Sequence, residues 1–507
     1  MRVVRGIGAI IAPLLLWACA VGPDFERPAA PTTDHFTEDP LPPATASAPV
    51  RAGASQRFAQ DRDIPGEWWA LFHSSALDAL IKQALKASPN IAAAEAALRQ
   101  SHQLTLAGEG AFFPLAQAGF NASRNKTGAS VSPATASGSF YYNQYTAQLA
   151  VSYVPDVFGG TRRSVEGLLA QEEVQRFQLE AAYLTLTSGL VAAAVGEAGL
   201  RGQITATKEI IRIQRDSLDI LHRQFALGHV AGQDVAAQEA ALAQAEASLP
   251  PMEKQLALQR DLIAVLAGRL PGDQPDARFD LASLQLPQDL PVSVPSRLVE
   301  QRPDIRAAEE TLHAASAAIG VAVAARLPQM TLTATGGSTA LSPLTIANLF
   351  GPGTAFWTIA AGASQTVFDA GTLLHKQRAA EAAFDQAAAQ YKQTVLTAFQ
   401  NVADSLEALK SDATALKAAA ASETAARTSL DIARRQLALG AIHYLTLLNA
   451  ENTYQTALNV RVQAEAARYA DTAALFQALG GGWWNRSDVA PETQSEGVLS
   501  PKSFFVP

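Results

Sequence analysis

Residues 217–228 read SLDILHRQFALG and residues 429–440 read SLDIARRQLALG, so one segment occurs twice at an offset of 212. Upstream, Pro89-Asn90-Ile91, Glu95 and Leu98 are echoed by Pro303-Asp304-Ile305, Glu309 and Leu312 at an offset of 214. Phe113-Pro114 and Leu327-Pro328, again 214 apart, each precede an apolar-alternating run. Two copies with the same order of elements define a duplicated unit far longer than a solenoid repeat. The 507-residue chain is therefore read as two fused halves of one architecture.

Each copy contains a proline-free helical tract, Thr161 to Leu227 and Gly371 to Leu439. At 1.5 Å per residue each tract reaches about 100 Å. Each turns at a glycine, Gly228 or Gly440, and returns as 233–266 or 444–479. A shorter helix precedes each hairpin; the first runs from Leu77 to Gly108, with Ser88-Pro89-Asn90 as a break or start signal. The composition agrees: 48% hydrophobic, only 17% charged and rich in alanine, which favours helices that approach closely.

Between the helices lie hairpin signatures. Tyr145, Ala147, Leu149, Val151 and Tyr153 alternate with Gln144, Thr146, Gln148 and Ser152. Ala116, Ala118, Phe120 and Ala122 oppose Gln117, Asn121 and Ser123, with 125–139 as the loop. In the second copy Met330, Leu332 and Ala334 alternate with Thr331, Thr333 and Thr335. Trp357, Ile359, Ala361 and Ala363 return after a loop expected at 336–353. An aromatic-rich apolar row opposite an uncharged polar row suits a strand between lipid and water. A half-buried strand of a soluble sheet alternates in the same way. In a membrane, four strands cannot close a barrel, and an open edge in hydrocarbon leaves backbone groups unsatisfied. Other copies of the chain must then complete it. Eight strands close only a side-chain-filled core, whereas more leave a lumen.

The first 18 residues carry Arg2 and Arg5, an apolar run from Ile7 to Trp17, and no acid. The run is too short to span a bilayer and reads as an export signal. Leu16-Trp17-Ala18-Cys19 resembles a bacterial lipobox, and Cys19 is the only cysteine, so it is the expected lipidation site. An ordinary signal peptide with an incidental cysteine is the bland alternative. A single cysteine excludes an internal disulfide. The formal charge of −8 becomes −10 without Arg2 and Arg5, which disfavours nucleic acid and anionic lipid as main partners.

The expected layout is a signal peptide at 1–18 and an anchored tether with an equatorial segment at 19–75. The first repeat covers 76–270, with a hairpin at about 114–154. A linker at 271–295 leads to the second repeat at 296–480, with a hairpin at about 329–368. Residues 481–507 are expected as a flexible tail.

The duplicated plan, the Cys19-Ala-Val-Gly-Pro-Asp-Phe start and the string Gln301-Arg302-Pro303-Asp304-Ile305-Arg306-Ala307-Ala308-Glu309 resemble the outer membrane factor family. This is the TolC-like group, and within it the OprM- and NodT-like lipoproteins. The resemblance runs from Cys19 to about Gly481 and rests most specifically on Arg302, Pro303, Asp304, Arg306 and Glu309. It implies a mainly α fold with a transmembrane β part: a homotrimer whose 12-stranded barrel continues into a long periplasmic α-helical barrel. It implies an exit duct in outer membrane lipid for a tripartite efflux pump, or alternatively for type I secretion. Partners would be a periplasmic adaptor (membrane fusion) protein and an inner-membrane transporter of RND type, with no nucleic acid. The adaptor would dock at Leu227, Gly228, Leu439 and Gly440. Asp234, Thr446 and Asn449 are the candidate aperture residues. Where relatives often carry Leu-Leu-Asp-Ala, this chain has Leu447-Leu448-Asn449-Ala450, so the acid is an amide. Asp234 reads equally as a solvated residue in the first turn of a helix.

No chemistry competes with this reading. The eight histidines show no paired metal spacing, and HExxH, P-loop and Gly-x-Ser-x-Gly strings are absent from the sequence. No enzyme, cofactor or metal is expected. The rival reading is a periplasm-spanning structural lipoprotein, which accounts for the helices and Cys19 but not for two amphipathic hairpins.

Overall fold

The fold is that of a computed structural model, which describes residues 20–33, 35–60, 62–127, 140–292, 295–341 and 346–489. Cys19, the signal segment and residues 490–507 therefore lie outside the described residues. In chain order the elements are β1 (Arg57–Gln60), α1 (Ser75–Ala87), α2 (Pro89–Glu109), β2 (Leu115–Thr127) and β3 (Phe140–Tyr153). Then come α3 (Gly160–Ala226), α4 (Gly232–Leu266), β4 (Asp289–Val292), α5 (Pro295–Gln301) and α6 (Pro303–Ala324). The chain ends with β5 (Gln329–Leu341), β6 (Ala355–Ser364), α7 (Thr372–Ala438) and α8 (Tyr444–Ala478).

The duplication is exact in length for the two long helices and their returns. Helices α3 and α7 each have 67 residues, and α4 and α8 each have 35. The same cap starts both long helices. Asp156 accepts from the backbone of Thr161 and Arg162, and Asp369 accepts from Gly371 and Leu373. Pro303, at the first position of α6, needs no amide partner there.

Strands pair in the antiparallel order β2-β3-β5-β6. The register aligns Ala118, Leu149, Gly336 and Trp357 on one face, beside Phe120, Ala147, Tyr145 and Ile359. The other face carries Gln117, Asn121, Gln144, Gln148, Thr335 and Thr358. Thr146 and Thr339 approach there to 3.1 Å between hydroxyl oxygens. The loop expected at 336–353 starts later, because β5 runs on to Leu341. Gly336 and Gly337 are strand residues. A Cβ on Gly337 would lie 2.3 Å from the Ala147 carbonyl oxygen, so the neighbouring strand requires glycine there.

Around the sheet's axis the helices form one arc in two tiers. The first part of α3 lies between α2 and α6, with the Thr105 hydroxyl 3.5 Å from the Leu168 carbonyl and His313 bonded to Glu166. Its last part lies between α4 and α8, where Gln238 donates to the Gln214 carbonyl at 2.8 Å. Helix α7 packs on α6 and α8. The arc is thus α2-α3-α6-α7 in the upper tier and α4-α3-α8-α7 in the lower. Its flanks stay uncovered: Leu104 on α2, Leu258 and Leu262 on α4, and Leu396 and Ile432 on α7 are exposed.

The segments on either side of the repeats build a girdle at mid-height. The expected unstructured tether is extended but packed, and the expected linker 271–295 contains β4, which pairs in parallel with β1. Arg468, fully buried, donates to the carbonyls of Ala52 and Ala54 and to Thr45 and Gln56. Gln56 in turn donates to the Pro287 carbonyl and to Thr472, each at 3.0 Å. The tail expected from 481 is ordered as far as it is described. The Trp483 indole donates to the Gln301 carbonyl, and Arg486 pairs with Glu180 at 2.9 Å. Order here comes from desolvated polar groups that find partners only across the chain.

Residues 20–27 form a strap beside the strand-to-helix junctions. The Val21 amide donates to the Phe158 carbonyl, Asp24 pairs with Arg163 at 2.5 Å, and Arg27 pairs with Glu309. Phe25 stacks on His313 at 4.4 Å between centroids. His313 reaches Glu166 through Nε2 at 3.1 Å and Glu310 through Nδ1 at 3.2 Å. Only the imidazolium donates from both nitrogens, and these bonds, Glu166 foremost, push it up from 6.5 to about 9. Stability from this raised group is complete below pH 6.5 and is lost as pH rises through about 9, amounting to at most about 3 kcal/mol. Thermal melts of wild type and His313→Gln across that window are expected to converge toward the alkaline end. A constant difference would contradict the assignment.

Candidate functional site

The duplicated Leu-Gly turns meet at the end of the helical arc farthest from the strands. Leu227 closes α3 at φ −89°, and Gly228 follows at φ +74°; Leu439 closes α7 at φ −89°, and Gly440 follows at φ +68°. In each, the glycine amide bonds three residues back, to Phe225 or Leu437. The next amide bonds five back, to Gln224 or Gln436. This double bond pattern satisfies the last helix carbonyls and needs a left-handed residue, which glycine supplies at no steric cost. A Cβ at either glycine would meet nothing within 4 Å, so backbone conformation and not space dictates the residue.

Leu227 and Leu439 project outward, 70% and 83% exposed. Just behind them one apolar core joins all four lower helices, with Leu221, Leu430, Tyr444 and Leu447 inside it. Val230 and Ile442, one from each turn, pack against that core. The two exposed leucines thus stand as a pair of apolar knobs on a shared base.

Asp234 lies in the first turn of α4, half-buried, and its amide donates to the Ala231 carbonyl. Thr446 and Asn449 lie exposed on the first turns of α8. Arg302, Pro303, Asp304, Arg306 and Glu309 are not at this tip. They lie at the girdle, where Arg302 clamps Asp304 with both arms and donates to the Ala478 carbonyl. Arg306 bonds Glu309, the residue that receives Arg27. The most specific sequence string is therefore a structural clasp that ties the start of α6 to the end of α8 and to the strap.

Three tip groups escaped the sequence reading. Ser217 donates to Glu451 at 2.6 Å inside the α3-α8 seam, and the Tyr444 hydroxyl is buried nearby. Burial raises the Glu451 carboxyl, and it also raises the Tyr444 phenol. Ser217 belongs to the repeated string, but its partner becomes evident only when α3 and α8 are known to touch. Glu451→Gln keeps the hydroxyl bond and removes the buried charge. At neutral pH the variant is expected to melt higher than wild type, with the gap closing as pH falls toward the ordinary glutamate value of 4.5 and absent below it. A wild type that is the more stable at neutral pH would show the charge to be favourable.

Comparisons with known proteins agree with this geometry. A family model described as outer membrane efflux protein matches residues 80–269 and 294–481, one stretch per repeat. A pyoverdine export outer membrane protein, OpmQ of Pseudomonas putida, is 29% identical over 88% of this chain and 94% of its own. A probable efflux pump outer membrane protein of the same species, TtgC, is 28% identical over 97% and 98%. Among solved structures, the outer-membrane channel OprN superimposes with a TM-score of 0.82 at 27% identity, covering 92% of this chain and 100% of its own. The chain belongs to the outer membrane efflux protein family, as an outer membrane channel component of an efflux pump that extends into the periplasm.

Proposed function

We propose that three copies close into one duct, that an adaptor protein docks on the Leu-Gly turns, and that an inner-membrane RND-type transporter drives small molecules through it. One observation carries the reading. Sheet, upper helices and lower helices are all arcs that end on the same two flanks, at β2, α2 and α4 on one and β6 and α7 on the other. A flank-to-flank contact between copies pairs strand edge with strand edge and helix with helix at once. Three copies of four strands give 12, enough for an open lumen. The polar face with Gln117, Gln148 and Thr335 then lines water, and the face with Phe120, Leu149 and Trp357 meets lipid.

Internal symmetry supports the same contact. Ser429 and Glu239 correspond by the 212 offset to Ser217 and Glu451, yet both are exposed, on the free flanks of α7 and α4. In the closed ring they face each other across copies, as Ser217 and Glu451 do within one. Cys19 lies outside the described residues. Ala20, its neighbour, begins the strap beside the strand-to-helix junctions, where a lipid chain on Cys19 enters the membrane's inner leaflet. At the tip, three Asn449 amides take the place of an acidic ring, Thr446 adds hydroxyls, and Asp234 is the remaining acid of the constriction. Relatives named for export of pyoverdine and efflux of antibiotics support a cargo of small organic molecules.

The test is drug susceptibility of a strain lacking its own efflux channels and carrying the cognate adaptor and transporter. Wild type is expected to restore resistance. Leu227→Asp with Leu439→Asp is expected to remove most of it while the native mass stays that of a trimer. Full resistance with both leucines charged would remove the tip from the docking site.

A further inference from the structure

We propose that Arg124 and Lys126 form a binding site for the phosphate-bearing glycolipid headgroups of the outer leaflet. The proposal rests on the barrel reading above. Across β2, β3, β5 and β6 these two are the only charged side chains, and the connecting residues 128–139 and 342–354 contain no charge. The chain as a whole is acidic, at −8, so two cations and no acid in this part depart from its composition.

Their placement is specific. Along β2 the lipid-facing row reads Ala116, Ala118, Phe120, Ala122, Arg124, Lys126, so both cations continue the apolar row and do not face the lumen. Arg124 stands opposite Asn143, and Lys126 opposite Tyr141; all but the half-buried Asn143 are exposed. The Lys126 ammonium lies 5.4 Å from the centre of the Tyr141 ring, which holds it at the surface. Next along the row stands Tyr145, opposite Ala122, so an aromatic girdle borders the cations.

Depth follows from strand geometry. At about 3.3 Å per residue and a tilt of about 40°, Arg124 lies roughly 23 Å and Lys126 roughly 28 Å above Leu115 along the membrane normal. The apolar band of such a barrel is about 25 Å tall. The cations therefore straddle its far boundary, where headgroup phosphates lie, and β2 enters from the helical, periplasmic side. A cation that served the lumen would occupy the other row, with Gln117, Asn121 and Ser123.

The experiment compares wild type with Arg124→Gln/Lys126→Gln, both purified in detergent as assembled particles. Retention of phosphorylated lipid A is read by native mass spectrometry, with dephosphorylated lipid A and inorganic phosphate as the other probes. Wild type is expected to retain phosphorylated lipid A roughly 30-fold more strongly than the variant, the effect of two cations at an anionic surface. Dephosphorylated lipid is expected to bind both equally, and inorganic phosphate is expected to bind neither. The variant's unchanged particle mass and efflux show that it folds. Equal retention of phosphorylated lipid by both proteins overturns the proposal, as does saturable binding of inorganic phosphate alone. A wild type that is monomeric and absent from the outer membrane overturns the barrel reading and this site with it.

Discussion

A strand edge in hydrocarbon has no water to satisfy its amides and carbonyls, at several kcal/mol for each unmet group. This chain presents two such edges, β2 and β6, on a sheet of four strands. Everything above and below follows from that constraint. The helices cannot curl into a private bundle, because their arc must keep its flanks in line with the sheet's flanks. The exposed Leu258, Leu262, Leu396 and Ile432 are apolar surface that this geometry leaves uncovered along the flanks of a single chain.

Duplication supplies the arc economically but leaves its two halves in unequal surroundings. The α3-α8 seam is interior to a chain, and Glu451 in it is 1% exposed; its counterpart Glu239 is on a free flank. The girdle breaks the symmetry further. Arg468 and Gln56 tie the N-terminal segment and the inter-repeat segment to α8, whereas on α4 Arg260 donates to Gln274 and to the Pro275 carbonyl of the inter-repeat segment. The ties to α8 fix the N-terminal and inter-repeat segments against it at mid-height.

The two long helices and their returns were legible in the sequence to within a residue, since proline-free tracts end in Leu-Gly turns whose backbone demands glycine. The strands were legible through their alternation, except where Gly336 and Gly337 read as loop and prove to be strand residues, with β3 passing close at Gly337. The family string was legible as a signature but not in its role, because Arg302 meets Ala478 only through a contact 176 residues away. The girdle was illegible for the same reason. Strands β1 and β4 have four residues each, too few for a period, and their order depends on partners more than 200 residues distant. At the tip, local turn chemistry was readable, and the buried Ser217–Glu451 bond, which depends on which seam is interior, was not.

The central claim is that the free flanks of one copy meet those of the next. Cysteines at Ser429 and Glu239, joined by a short thiol-reactive cross-linker in intact membranes, test it directly. The account predicts a covalent ladder that ends at three chains, and monomers alone when either cysteine is omitted. Exclusively intramolecular products, or a ladder that runs past three, would contradict the closed ring.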